Sequence, residues 1–209
     1  MENFNLILPE IFLSLSIFTS LLIGVFFKNS YNLVTNITYI IIISLLLIIF
    51  NSFHNSGNLF SNSFVSNSFT NFFKILILLG TLFVMLITQK FIKEMKINYF
   101  EYSLLLLFSV LGMFFMVSSN DLMSFYLGLE LQSLALYILA SIDRDNLKSN
   151  ESGIKYFVLS ALSSGLLLYG CSLLYGFTGS TNFEEINLKM EIENTGIIFA
   201  MVFILVGLA

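Results

Sequence analysis

Residues 33–50, LVTNITYIIIISLLLIIF, contain no charged side chain. A helix that crosses the hydrocarbon core of a bilayer, which is roughly 30 Å thick, needs about 20 mostly apolar residues. Outward from this stretch in both directions, the chain shows further apolar runs of similar length. The predicted spans are about 6–27, 33–50, 72–92, 102–118, 121–142, 154–177 and 195–209. The sequence therefore predicts an all-α integral membrane protein of about seven transmembrane helices, with residues 1–209 as a single membrane domain.

The composition excludes a soluble globular domain. The chain is 57% hydrophobic and 11% charged, and its mean hydropathy is +0.90, whereas soluble domains carry about 25% charged residues. Cys171 is the only cysteine, so no internal disulfide can form. The sequence shows no glycine-rich phosphate loop and no Cys/His metal motif. We therefore predict that this chain itself holds no cofactor and no metal, and that it binds lipid but no nucleic acid.

The basic residues are distributed unevenly between the two sides of the predicted spans. Two fall on one side, Lys74 and Lys189, and seven fall on the other: Lys28, Lys90, Lys93, Lys96, Arg144, Lys148 and Lys155. Loops rich in Lys and Arg stay on the cytoplasmic side of a membrane. This bias predicts an N-terminus that faces outward and basic loops that face the cytoplasm or the matrix.

Glu130 is the candidate proton-transfer residue. It lies about nine residues into the fifth predicted span, which at the helical rise is roughly 13 Å deep. A carboxylate at that depth is costly unless it is paired, reaches water or carries a proton, and intramembrane acids usually have a function. The alternative is a protonated Glu that only hydrogen-bonds to a neighbouring helix. Three polar residues flank Glu130 and are predicted to support it, either by holding an ordered water or by packing: Tyr126, Gln132 and Ser133.

Lys155 is the second predicted relay residue. It lies near the basic-side membrane boundary, on the order of 10 Å from the depth of Glu130, so we expect a coupling through water and not a direct salt bridge. The alternative is a lysine that extends its ammonium to the interface.

Several other residues are predicted to have structural roles. Glu10 follows Pro9 and suits the first turn of a helix, and Lys74 and Glu101 are expected at the membrane interface. In the polar, low-complexity stretch 51–71, His54 is expected to be solvated. In the sixth span, small residues spaced by four predict close helix packing: Ser160, Ala161, Ser164 and Gly165, with Cys171 among the small packing residues.

Two stretches carry a resemblance to a known family. Residues 118–137, SSNDLMSFYLGLELQSLALY, and residues 153–170, GIKYFVLSALSSGLLLYG, closely resemble the fifth and sixth helices of the subunit 2 family of respiratory complex I. Residues 8–10, LPE, are similar to the opening of that family. The match is specific over about 118–180, and residues 130–133, ELQS, favour the mitochondrial type.

The resemblance implies the N-terminal part of an antiporter-like, proton-translocating subunit in the membrane arm of NADH:ubiquinone oxidoreductase. In that family the acid matching Glu130 is the proton-channel carboxylate, and the lysine matching Lys155 belongs to the same polar path. The family has about twice as many helices, so a second chain or a C-terminal half is expected to complete the bundle. Other membrane-arm subunits are the expected partners. NADH, FMN, iron–sulfur clusters and ubiquinone are expected elsewhere in the complex.

The resemblance also implies a location in the mitochondrial inner membrane, with the N-terminus toward the intermembrane space and the basic loops toward the matrix. Two alternatives remain open for the function. One is a subunit of a cation/proton antiporter that has no redox partner, and the other is a purely structural piece of the membrane arm.

Overall fold

A computed structural model describes residues 5–27, 30–94, 99–190 and 194–209. The chain is a multi-pass membrane protein built almost entirely from α-helices. Six helices are long and apolar enough to cross a bilayer, and an apolar helix of 14 residues follows them. Two of the lysines counted in the charge bias, Lys28 and Lys96, lie outside the described residues. In chain order the elements are α1 (Leu8–Phe26), α2 (Ser30–Asn51), β1 (Gly57–Leu59), β2 (Phe64–Ser66), α3 (Ser68–Glu94), α4 (Glu101–Ser118), α5 (Leu122–Ala140), α6 (Leu147–Thr178), α7 (Phe183–Lys189) and α8 (Thr195–Leu208).

The predicted spans correspond one to one with α1–α6 and α8, and most boundaries agree within a few residues. The sixth boundary differs most, because α6 begins at Leu147 and not near 154. Asn146 caps its first turn by accepting a hydrogen bond from the Lys148 N–H at 3.0 Å. The polar residues before the apolar run are therefore helical as well, which apolar length alone does not indicate.

The stretch 51–71 is structured, contrary to the low-complexity loop that its composition suggests. β1 and β2 pair as an antiparallel hairpin, with Asn58 opposite Val65. Its turn contains three consecutive residues with positive φ, at Phe60, Ser61 and Asn62. Such backbone costs free energy in non-glycine residues and persists only where surrounding contacts fix it.

We call the end of the bundle that holds the β-hairpin and the starts of α1, α3 and α5 the hairpin end. Hydrogen bonds at this end fix the backbone of the turn. The Asn62 carbonyl accepts hydrogen bonds from the Asn120 side chain at 3.1 Å and the Asn182 side chain at 3.3 Å. The Asn120 N–H donates to the Ser63 carbonyl at 2.9 Å. The hairpin, the α4–α5 turn and the α6–α7 connection therefore form one hydrogen-bonded layer.

The helices pack around two apolar cores. One joins α1, α2, α3 and α4, with Leu13, Ile42 and Phe114 among its fully buried residues. The other joins the start of α5 to α6, α7 and α8 and contains Leu167 and Cys171. The packing role predicted for Cys171 agrees with this position.

The close approach of α6 to α8 depends on different small residues from those predicted. A Cβ atom on Gly207 would lie 2.6 Å from the Leu167 backbone nitrogen, and one on Gly170 would lie 2.8 Å from that of Ile204. The Ser163 hydroxyl donates to the Gly207 carbonyl at 2.6 Å. Gly165, by contrast, has open space around it among the described residues. Ala161 and Gly165 are exposed and take no part in this contact with α8, so the packing predicted for them has no partner among the described residues.

Asp121 connects the start of α5 to the α6–α7 connection, and we expect Asp121→Ala to lower the free energy of unfolding by about 1–2 kcal/mol. One carboxylate oxygen accepts the N–H groups of Met123 at 2.8 Å and Ser124 at 3.3 Å, and the other accepts the Thr181 hydroxyl. Thermal unfolding in detergent measures the loss. Thr181→Val removes only one of these donors and serves as the control. An equal loss in both variants would contradict the helix-capping role.

Candidate functional site

The packing of α4 against α5 sets the position of Glu130. Gly112 and Gly128 face each other so closely that a Cβ atom on Gly112 would lie 2.6 Å from the Gly128 carbonyl oxygen. Two adjacent glycines allow the helix backbones to touch, as small residues do in membrane helix pairs. Glu130 follows Gly128 by two residues and therefore projects away from α4. It lies near the middle of α5, which runs from Leu122 to Ala140.

The carboxylate of Glu130 is shielded and unsatisfied. Its side chain is half-buried, and its Oε1 atom is buried without a hydrogen-bond partner among the described residues. The Tyr126 hydroxyl, one turn earlier on the same face, lies close to the side chains of Glu130, Ser164 and Cys171. A buried carboxylate oxygen with no protein partner is a position where a proton or an ordered water binds.

The other two predicted supporting residues do not contact the carboxylate. The Ser133 hydroxyl donates to the backbone carbonyl of Glu130 at 3.0 Å, which is a local helix bond and not a contact with the carboxylate. Gln132 lies against Gly112, and its backbone nitrogen is 2.6 Å from the position of a Gly112 Cβ atom. Of the three, only Tyr126 is beside Glu130.

Lys155 lies apart from Glu130, as its predicted depth requires. Its ammonium pairs with Glu151 at 2.6 Å, and the side chain is 69% exposed. The register of α5 against α6 gives the separation, because Tyr137 stacks on Tyr156 and Phe157 whereas Tyr126 lies close to Ser164. Lys155 is therefore about six residues, or roughly 10 Å, nearer the basic end of the bundle than Glu130. The structure does not bring the two predicted relay residues together.

The structure reveals a buried ion pair that the sequence analysis did not predict. Lys74 on α3 and Glu10 on α1 are 2.6 Å apart, and their side chains are 0% and 2% exposed. Lys74 was expected at the membrane interface, and the structure adds that its side chain is buried inside the bundle, because α3 begins at Ser68 and Lys74 lies between two aromatic rings. The rings of Phe64 and Phe114 have centroids 5.3 and 5.9 Å from its Nζ atom.

The role predicted for Glu10 changes for the same reason. Glu10 does lie in the first turn of α1, where Pro9 also sits. Its carboxylate, however, pairs with Lys74 and makes no hydrogen bond to a backbone N–H of the described residues. A cation near the start of the apolar run 72–92 and a lone acid in the first predicted span were the signals in the sequence that pointed to the pair.

The remaining polar residues behave as the sequence predicts. Glu101 is partly exposed and pairs with Arg144 at 3.6 Å, as expected for an interfacial residue. His54 is exposed, and its ring packs edge-on against Phe53.

Known membrane proteins of respiratory complexes are similar to this chain in sequence. Residues 119–209 match the family model described as NADH:quinone oxidoreductase/Mrp antiporter, TM. The chain is 57% identical over 210 residues to NADH-quinone oxidoreductase subunit N of Pelagibacter ubique, covering 100% of this chain and 45% of that protein. It is 50% identical over 207 residues to the subunit N of Bartonella bacilliformis, covering 98% of this chain and 42% of that protein. The chain thus spans less than half the length of these relatives.

Solved structures show the same fold. Respiratory complex I from Thermus thermophilus with bound aureothin contains a chain that matches with a TM-score of 0.78 and 26% identity, covering 96% of this chain and 43% of that one. A chain of the archaeal membrane-bound sulfane sulfur reductase matches with a TM-score of 0.82 at 21% identity, over 97% of this chain and 43% of that one. The latter likeness concerns the fold alone.

These matches confirm the resemblance on which the sequence analysis relied, with one difference of detail. The two relatives named above are bacterial, so they lend no support to the mitochondrial type. The chain is similar to the N-terminal part of subunit N of bacterial NADH-quinone oxidoreductases, and its residues 119–209 match the NADH:quinone oxidoreductase/Mrp antiporter family model.

Proposed function

We propose that this chain is the N-terminal part of a proton-translocating membrane-arm subunit of an NADH:quinone oxidoreductase. The observation that carries the proposal is the Glu130 carboxylate, half-buried in the middle of a membrane helix with an oxygen that lacks a partner among the described residues. A charge held there without a fixed counter-ion can change its proton occupancy when its surroundings change. Relatives at 57% and 50% identity carry the oxidoreductase name.

In the proposed mechanism, quinone reduction elsewhere in the complex alters the hydration or the charge pairing around Glu130. The carboxylate then takes up a proton from one side and releases it toward the other. Tyr126 is the neighbouring hydroxyl that can orient a water beside the carboxylate. Lys155 contributes through water, since roughly 10 Å separates its depth from that of Glu130. The Lys155 ammonium can then switch between its ion pair with Glu151 and the water that leads to Glu130.

The redox chemistry belongs to other subunits in this proposal. Among the residues that the structure describes, no three His, Cys, Asp or Glu side chains are arranged to hold a metal ion. NADH, FMN, iron–sulfur clusters and ubiquinone are assigned to the rest of the complex. This chain then supplies only proton transfer.

Further membrane-arm polypeptide is proposed to cover the first half of α6. Every residue of 154–159 is exposed, including Val158 at 58% and Leu159 at 68%, although Tyr156 and Phe157 also contact α5. The relatives are more than twice as long as this chain. A second chain or a C-terminal half, together with neighbouring subunits and lipid, would enclose Lys155 and extend the polar path from Glu130.

We assign the membrane and the orientation as part of the same proposal. The charge bias puts the basic loops on the cytoplasmic or matrix side and the hairpin end on the outside. A mitochondrial inner membrane remains a prediction of the sequence analysis, whereas the named relatives belong to bacterial membranes.

Glu130→Gln tests the function. The variant keeps the side-chain shape but cannot release a proton, so we expect fewer protons pumped per NADH oxidised by the assembled complex in proteoliposomes. Glu185→Gln is the control for the same chemical change, because the Glu185 side chain on α7 is 59% exposed. Normal proton stoichiometry and turnover in Glu130→Gln would refute the relay role and would favour a structural membrane-arm piece.

A cation/proton antiporter is the second candidate, because the matching family model also includes Mrp antiporter subunits. A chain of the Mrp complex from a Dietzia species has a TM-score of 0.75 at 22% identity, covering 96% of this chain and 40% of that one, which supports the fold alone. Proton exchange that depends on Na⁺ and proceeds without NADH would favour this candidate.

A further inference from the structure

The Glu10–Lys74 ion pair has no part in the function proposed above. Both side chains are within the membrane bundle and are almost completely inaccessible, at 2% and 0% exposure. Moving two charges out of water costs several kcal/mol per ion, and one contact between them repays this poorly. Apolar side chains would hold α1 against α3 at lower cost. A buried ionisable pair in a membrane protein therefore points to a role for the charge itself.

The Glu10–Lys74 pair has hydrogen-bonding groups that are available to bind water. An ammonium carries three donors, but by distance Lys74 meets only one carboxylate oxygen of Glu10. No well-aligned hydrogen bond from the described residues reaches its Nζ atom or either oxygen of Glu10. The hydroxyl of Ser118, one turn beyond Phe114 on the same side of α4, is also buried and has no hydrogen-bond partner in the described part of the chain. Buried polar groups in this condition usually bind ordered water.

A cavity at the hairpin end lies next to the pair. This vestibule has a volume of about 220 Å³, enough for several waters. Its walls are mostly apolar, and the serines Ser63, Ser119 and Ser124 supply the hydroxyl partners that water inside it needs. Phe64 belongs to both places, because it lines the vestibule and its ring lies 5.3 Å from the Lys74 Nζ atom.

The backbone around Phe64 is held in place by hydrogen bonds. Its side chain lies between the vestibule and the Lys74 ammonium. Phe64 forms a β-bridge with Ser119, and the neighbouring Ser63 carbonyl accepts the Asn120 N–H at 2.9 Å. The residue is 7% exposed. Rotation of the ring, without movement of the hairpin, would therefore bring vestibule water to the ammonium.

We propose that the Glu10–Lys74 pair exchanges protons with water at the hairpin end of the bundle, and that the Phe64 ring is the gate between the pair and the vestibule. In the exchange, a hydronium ion in the vestibule passes its proton to the Glu10 carboxylate, which leaves a water molecule and a neutral carboxyl group beside the Lys74 ammonium. The reverse transfer restores the ion pair with Glu10. This inference rests on the proposed function, in which the protein moves protons across the membrane.

A passive leak measurement tests the gate. The assembled complex is placed in proteoliposomes, a pH difference is imposed without NADH, and proton entry is followed with a trapped dye. Phe64→Ala is expected to speed entry several-fold. Phe60→Ala is the matched control, because Phe60 lines the same vestibule and has a side chain 67% exposed to solvent. It is expected to leak like the unmodified complex.

Removing the two charges shows whether the leak of Phe64→Ala passes through the ion pair or results from damaged packing. Adding Glu10→Met and Lys74→Met to Phe64→Ala is expected to return the leak to the unmodified rate. A leak that persists in the triple variant, or no leak in Phe64→Ala, would overturn the proposal. Because NADH is omitted, the result is independent of the Glu130→Gln pumping measurement, and either proposal can fail alone.

A second measurement applies if Phe64→Ala prevents assembly. Phe64→Leu is then tested for leak in the same way, and a cryo-electron microscopy map of the unmodified complex is inspected at the pair. Water density within hydrogen-bonding distance of the Lys74 Nζ atom or of the unpaired oxygen of Glu10 would support the proposal. A dry pair would overturn it.

Discussion

Gly112→Val is expected to separate α4 from α5 and to deplete the assembled protein from the membrane. A Cβ atom at this position would lie 2.6 Å from both the Gly128 carbonyl oxygen and the Gln132 backbone nitrogen. Both obstacles are backbone atoms inside a helix, so no side-chain rotation can relieve the clash. Overpacking a closely packed interior costs about 1–3 kcal/mol, and more where nothing can yield.

The effect should increase with side-chain size and should depend on position. Gly112→Ala already adds the clashing carbon, and Gly112→Val adds two further methyl groups. Gly165→Ala is the control, because the same change on α6 meets open space among the described residues and gains about 1 kcal/mol of helix propensity. The amount of assembled complex on native gels and its thermal inactivation temperature measure all three variants. A Gly112→Ala protein as stable as Gly165→Ala would show that α4 and α5 do not pack through this glycine pair.

Apolar length was sufficient to predict the helices, because each span must satisfy its own backbone within the membrane. The same reasoning could not predict the hairpin Gly57–Ser66. Its composition is polar and repetitive, and its strained turn at residues 60–62 exists only because the carbonyl of Asn62 is held by side chains from distant loops. Contacts of that kind follow from the assembled fold and not from a local pattern.

The candidate site likewise has features that the sequence predicted and features that it did not. The position of Glu130 near the middle of α5 and its neighbour Tyr126 followed from counting residues along one helix, since residues four apart share a face. The partners of Lys74 and Lys155 did not follow, because each depends on how far a helix extends beyond its apolar run. α3 and α6 begin four and seven residues before the predicted spans at 72 and 154. These extensions bury the first lysine and pair the second with Glu151.

Lys74→Met is expected to destabilise the protein by about 3–5 kcal/mol, the usual cost of leaving one partner of a buried ion pair without the other. The Glu10 carboxylate, 2% exposed, would then have no counter-charge among the described residues. The aromatic surroundings increase this cost. The faces of the Phe64 and Phe114 rings carry negative charge density, which attracts the ammonium and repels an unpaired carboxylate.

The same electrostatic reasoning orders the three variants of the pair. Glu10→Met leaves an ammonium that still has both rings within 6 Å, so it should be less damaging than Lys74→Met. The double variant removes both charges and fills similar volumes with apolar side chains, so it should be close to neutral. A double-mutant cycle on thermal inactivation temperatures measures the coupling between the two positions. If the double variant lost the sum of the single losses, the pair would not be coupled in the folded protein, and the 2.6 Å contact would contribute no specific energy.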